Sequence, residues 1–405
     1  MTSIEPYATG VASSSSGLAG PDDEPIPLAR PVIGPREEEL VLEVLRSGQL
    51  SLGPRLVQFE QAFAKRVGAA YASAVSSGTA GLHLALRAVG VKPTDPPREV
   101  VTAPFSFVAS ANVAVYEGAR PVFADIDPVT LSLDPEAAAA AVTDRTAAVL
   151  PIHVFGYPAD MIALERLGLP IVEDACEALG AVYADGGAVG GRGHPSVFGF
   201  YANKQMTTGE GGAITCASAD IKVRLDSERN QGRSPDMGWL DHDRLGFNYR
   251  LSDLACALGL AQLERLDELL AARTRVAESY REALADLAAL GPDDGLTLPC
   301  PDFGGARRGW FVFVVQLPRR VDRDAVVRTL GTLGVPAKPY FPAIHLMSYY
   351  RETFGHRQGE FPVCEDVAAR SIALPFFPEM SAAQVARVSA ALAQVLARDA
   401  LASRG

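Results

Sequence analysis

The feature that most restricts how this chain can fold is a rhythm between residues 71 and 217. Seven short apolar runs follow one another: "YASAV" (71–75), "EVVTA" (99–103), "PVFADI" (121–126), "AAVLPIH" (147–153), "PIVEDA" (170–175), "SVFGFY" (196–201) and "GAITCA" (212–217). Several are too uniformly apolar for a sheet with one wet face, which predicts a buried, mostly parallel sheet sandwiched by helices. The intervening helices include residues 79–89, 107–118 and 135–142. The last two runs are joined by too few residues for a crossover helix, so one of them is expected to be antiparallel.

The flanks complete an α/β architecture. "PREEELVLEVLR" (35–46) opens with proline and acids and then shows apolar residues at helical spacing, and 54–68 repeats the pattern. Residues 252–287 read as one long amphipathic helix. Beyond it come a strand (309–317), a helix (323–334), a Pro-rich aromatic stretch (336–350), a second strand (370–377) and a final helix (381–398). The expectation is a flexible tail over 1–25, a large domain over 26–270 with a seven-stranded sheet, and a linker helix with a smaller α+β domain over 271–405.

Composition excludes several function classes. The net charge is −11 and the basic residues are scattered, so a nucleic-acid partner is not expected. No apolar run reaches the roughly 18 residues a membrane span needs, and the opening "MTSIE" lacks the basic start of a signal peptide. Five cysteines without a C-x-x-C pair argue against disulfides or a zinc knuckle and for a cytoplasmic, reducing home. The six histidines show no metal-ligand spacing.

Three segments carry chemistry. In "SSGTAGLHLAL" (76–86) a strand gives way at once to a helix, whose N-terminus presents free N–H groups. Gly78 permits close backbone approach and Thr79 adds a hydroxyl, which suits a phosphate; a plain capped turn is the alternative. In "EDACEALG" (173–180) Asp174 closes an apolar strand, where ligands of α/β sheets bind. A bare carboxylate there needs a cationic partner, unless it caps the following loop. In "NKQMTTGEGG" (203–212) Lys204 follows a strand and precedes a Gly-rich turn, where an amine can capture an aldehyde as an imine; most lysines are simply solvated. The three occur in the order phosphate turn, acid, amine.

These residues resemble the nucleotide-sugar aminotransferases of the DegT family, which share the aspartate-aminotransferase fold (fold type I of pyridoxal-phosphate enzymes). The resemblance runs from about Ile26 to the end and includes "PFSFVASAN" (104–112), "DID" (125–127), "PIHVFG" (151–156) and "GFNYRLSDLACALGLAQL" (246–263). It implies pyridoxal 5'-phosphate as cofactor, with pyridoxamine 5'-phosphate as the intermediate form. Lys204 would be its Schiff-base lysine and proton shuttle, and Asp174 the partner of its ring nitrogen. Gly78 and Thr79 would hold the phosphate, and Phe107 would stack on the ring, a core phenylalanine being the alternative. Glu177 stands near the ring where the family commonly has Gln. Asn248 would reach the phosphate of a neighbouring subunit, making a homodimer with shared active sites. His345, Tyr340 and Arg250 are candidates for substrate contacts. Gly199 stands where many members carry a phosphate-binding Ser, so Ser196 or a backbone N–H would have to compensate.

The implied reaction transfers an amino group from L-glutamate to a nucleotide-linked keto-sugar, a 4-keto-6-deoxyhexose first of all. Keto-cyclitol amination for aminoglycosides and a non-catalytic regulatory role are the alternatives. A dehydratase of the same fold would replace the lysine, and Lys204 argues against it.

Overall fold

Prolines and glycines punctuate the start of the chain, which the computed structural model describes over residues 25–234 and 241–402. All of the tail expected over 1–25 except Pro25 lies outside those residues. Helices Pro35–Ser47 and Pro54–Val67 each begin with proline after an extended glycine. Each ends at a left-handed glycine, Gly48 (φ 74°) and Gly68 (φ 73°), a conformation that costs glycine no Cβ clash.

The seven apolar runs become strands β1 (Tyr71–Val75), β2 (Glu99–Thr102), β3 (Arg120–Phe123), β4 (Thr146–Leu150), β5 (Glu173–Asp174), β6 (Ser196–Gly199) and β7 (Gly212–Cys216). They form two ladders rather than the one continuous seven-stranded sheet expected: β1-β7-β6-β5 and β3-β2-β4. Proline is the reason. Between β4 and β5 the bonds Val149 N–H to Pro170 O (2.9 Å), Val172 N–H to Val149 O (3.0 Å), Asp174 N–H to Pro151 O (2.9 Å) and His153 N–H to Asp174 O (3.0 Å) all form. Pro151 has no N–H to give, so the ladder lapses into isolated parallel bridges, Val149 to Ile171 and Ile152 to Asp174.

The pairing of β2 with β3 and β4, and of β5 with β6, is parallel. Strand β7 runs antiparallel to both β1 and β6, as the short connection required. Its register sets Gly212 opposite Val75 on one side and Gly199 on the other. The carboxyl ends of β1, β5 and β6 therefore arrive at one rim.

Strands β8 (Phe313–Gln316), β9 (Lys338–Pro339) and β10 (Ser371–Leu374) form an antiparallel sheet with β10 in the middle. Alternation along β8 and β10 divides their side chains between two apolar cores. Phe313, Val315, Ile372 and Leu374 join Tyr280, Leu330 and Leu392, whereas Val314 and Ala373 face the core of the seven-strand region. The helix expected over 252–287 is three helices, Asp253–Glu264, Leu266–Ala283 and Ala285–Ala289. Arg265 (ψ 15°) and Leu284 (ψ 4°) interrupt it, and neither is a helix breaker by type. The first segment packs on the two N-terminal helices and the second on helix Ala382–Ala402, so tertiary packing sets the break.

Candidate active site

The rim where β1, β5 and β6 end gathers the three sequence motifs. After β1, Ser77 caps helix Gly78–Ala88 by accepting from Ala80 N–H at 3.1 Å. A Cβ on Gly78 would lie 2.7 Å from Cys176 Sγ, so close approach of this turn to the end of β5 requires glycine. Ser76 N–H donates to Tyr249 O (2.8 Å), which docks the segment bearing Asn248 and Arg250 against the same turn. Asn248 is exposed, and Arg250 donates to Asn230 Oδ1 at 3.0 Å.

Asp174 is 6% exposed and accepts from Ser110 Oγ at 2.6 Å and from Cys176 N–H at 3.1 Å. Both donors are neutral. A buried carboxylate with such partners retains lone pairs for a cation.

Lys204 lies at the same rim, its side chain 15% exposed, with Nζ 3.6 Å from Glu177 Oε1 and 3.9 Å from the centroid of the Phe311 ring. Glu177 is buried, and its other oxygen accepts from Phe155 N–H at 2.9 Å. Burial pushes its carboxyl up, against the pull of Lys204 and the Phe155 N–H. Gln205 ties the motif down by donating to Glu177 O (2.5 Å) and Gly309 O (3.1 Å). Arg273 donates to Lys204 O at 2.9 Å.

The aromatic candidates divide. Phe107 is 62% exposed, which removes the core reading and leaves a ring face open at the rim. Tyr340 is half-buried against Phe155 and Phe341, and burial together with Glu177 pushes its phenol up. His345 is different. It is fully buried, pairs with Glu365 through Nε2 at 3.0 Å and packs on Phe361, so it lines the protein interior and not an open surface. Ser196 cannot make good the missing hydroxyl at Gly199, because it is fully buried and donates to Glu173 at 2.8 Å.

A family model for the DegT/DnrJ/EryC1/StrS aminotransferases matches residues 31–393. The chain belongs to that family. This aminotransferase is 36% identical to the spore coat polysaccharide biosynthesis protein SpsC of Bacillus subtilis over 373 residues, covering 88% of this chain and 93% of SpsC. Its fold matches DesV of S. venezuelae, solved in complex with a ketimine intermediate, with a TM-score of 0.82 and 32% identity over 89% of this chain and 94% of DesV. Helicobacter pylori PseC, an aminotransferase of pseudoaminic acid biosynthesis, matches with a TM-score of 0.86 and 25% identity over 93% of this chain and all of that one (100%). The protein is a sugar aminotransferase of the pyridoxal-phosphate-dependent kind.

The rim of this aminotransferase fits that cofactor. Asp174 offers a buried carboxylate to a protonated ring nitrogen, the helix end at Gly78 offers N–H groups to a phosphate, and Lys204 offers the amine. Sequence reasoning missed Ser110, Gln205, Arg273 and Phe311. For Arg273 a signal existed: it sits on the apolar stripe Leu266, Leu269, Val276, Tyr280, where a charged residue asks for a reason.

Proposed function

We propose that this aminotransferase moves an amino group from L-glutamate to a nucleotide-linked keto-sugar, with 4-keto-6-deoxyhexoses as the expected acceptors. The observation that carries the reading is the Lys204 amine at the rim that also holds Asp174 and the Gly78 turn. Pyridoxal phosphate, when bound, supplies an aldehyde that accepts and returns the amino group and a ring that takes up the electron pair of the broken C–H bond.

The chain's own residues do the rest. Asp174, oriented by Ser110 and the Cys176 N–H, would hold the ring N–H. Gly78 and Thr79 would take the phosphate at a helix N-terminus, and Phe107 would cover one ring face. Lys204 Nζ would take the α-proton of the donor and deliver it to the neighbouring carbon, returning it in the acceptor half. Glu177 lies within reach of the same amine. Tyr340 and Arg250 would face the acceptor, and His345 would support the wall from behind.

The likeness to SpsC, of spore coat polysaccharide biosynthesis, and to PseC, of pseudoaminic acid biosynthesis, supports a sugar acceptor. We read Asn248 as a contribution to a neighbouring subunit's phosphate, supported by its exposure beside the turn at Ser76. Sedimentation showing a monomer at working concentrations would remove that reading. We also read residues 26–270 as the cofactor-binding domain and 271–405 as the linker helix and small domain. The unpaired thiols fit a reducing cytoplasm.

The deciding experiment offers a panel of nucleotide-linked keto-sugars and keto-cyclitols to the pyridoxamine-loaded enzyme and follows the return of the yellow form. Recovery with nucleotide-linked 4-keto-6-deoxyhexoses is expected. Recovery with keto-cyclitols alone would overturn the acceptor assignment.

A further inference from the structure

Arg273 is 2% exposed, and burial alone brings its guanidinium down to about 10. Among the described residues no acid offsets that cost; the group is spent on backbone carbonyls. Its two terminal nitrogens reach Phe311 O (3.0 Å) and Lys204 O (2.9 Å), with Asn203 O at 3.4 Å. A single guanidinium therefore ties together the backbone of the reactive lysine and the backbone of the residue whose ring faces that lysine's amine. The Phe311 ring is 1% exposed, so water does not dilute the attraction between its negative face and a cation 3.9 Å from its centroid.

We propose that Phe311 and Arg273 are positioning residues for Lys204, the ring face holding Nζ beside Glu177 and Arg273 setting the separation between ring and lysine. The consequence goes beyond imine chemistry. Whenever Lys204 is not covalently engaged, its Nζ has one resting point, bounded by the Phe311 face and Glu177 Oε1, instead of swinging into solvent. A proton taken there is kept in place for return to the same substrate. The inference rests on Lys204 being the reacting amine, but its geometry stands without the cofactor.

The test replaces Phe311 with 4-fluoro- and then 3,4,5-trifluorophenylalanine in the full-length protein. Fluorine barely alters the ring's size and withdraws electron density from its face. The titratable groups that act on Nζ, Glu177 and Cys176, are common to the whole series. Reductive methylation of Lys204 by formaldehyde and cyanoborohydride is read at a fixed pH of about 7.5 in the cofactor-free protein, by peptide mass spectrometry. A stepwise rise to roughly two- to fivefold is expected, the factor that loss of a cation–π contact of about 0.5–1 kcal/mol produces. A flat series overturns the proposal. Arg273→Lys, which cannot span two carbonyls, is expected to raise the rate likewise; if it fails to fold, the fluorine series alone decides. Failure of the wild type to turn yellow with pyridoxal phosphate would sink the functional reading instead, a separate result.

Discussion

Glu173 and Asp174 are consecutive residues of β5, and alternation along a strand sends them to opposite faces. Glu173 is fully buried and saturated: Ser196 Oγ (2.8 Å), His153 Nε2 (2.9 Å) and Tyr183 OH all donate to it. The tautomer of His153 follows from its other nitrogen. Nδ1 accepts from Ala159 N–H at 3.0 Å, so Nε2 carries the proton that Glu173 receives. Burial opposes the charge on Glu173, yet His153, Tyr183 and Ser196 hold its carboxyl below the ordinary range. Asp174, one residue on, has two neutral donors and room for more. The lesson is that one strand carries, side by side, a carboxylate saturated by its neighbours and one with room for a further partner. Satisfaction of hydrogen bonds separates the two, where burial does not.

The strongest way to break this contrast is at the open face. Lys204→Ala is expected to abolish turnover, by about 10³-fold or more, while the melting curve stays near that of the wild type. Activity above a few per cent in a mass-verified variant would remove the lysine assignment. Next comes the pair itself. Asp174→Asn should cost about 10²-fold or more in turnover with stability within about 1 kcal/mol. Glu173→Gln should do the reverse, losing about 2 kcal/mol or more in urea unfolding while activity per folded molecule holds. Equal stability losses in the two variants would show that the faces do not differ.

The smallest effect sharpens the comparison through pH. Glu173, held low, contributes stability that is present above about pH 4.3 and lost as pH falls through its lowered value. Glu177 is raised, so the folded cofactor-free protein binds its proton more tightly than the unfolded chain and loses stability as pH rises through that window. Glu177→Gln is therefore expected to raise the cofactor-free thermal midpoint by about 2 °C at neutral pH and by less near pH 4. A gap that widens toward acid would contradict the sign of the Glu177 shift.

Much of the site was legible in the chain because its signals are local. A helix start after Gly78, an acid closing an apolar run at Asp174 and a lysine before a Gly-rich turn each need only a few neighbouring residues to be read. The prolines at 151 and 170 were visible too, but their effect on the ladder depends on which strands meet. The burial of His345 and Ser196 was hidden for the opposite reason. Their types suit ligand contact, and only the packing of Phe361, Glu365 and Glu173 around them buries them.

By itself the sequence determined the order of the seven strands that build the rim, the turn glycines and the three chemical groups placed there, since periodicity and turn chemistry act over a few residues. Tertiary structure alone decided who touches whom. Ser110 meets Asp174 across 64 residues and Arg273 meets Lys204 across 69, contacts no local rule encodes. The same long-range packing put a phenylalanine ring beneath the lysine amine, because close-packed side chains settle together and their neighbours are a property of the whole fold.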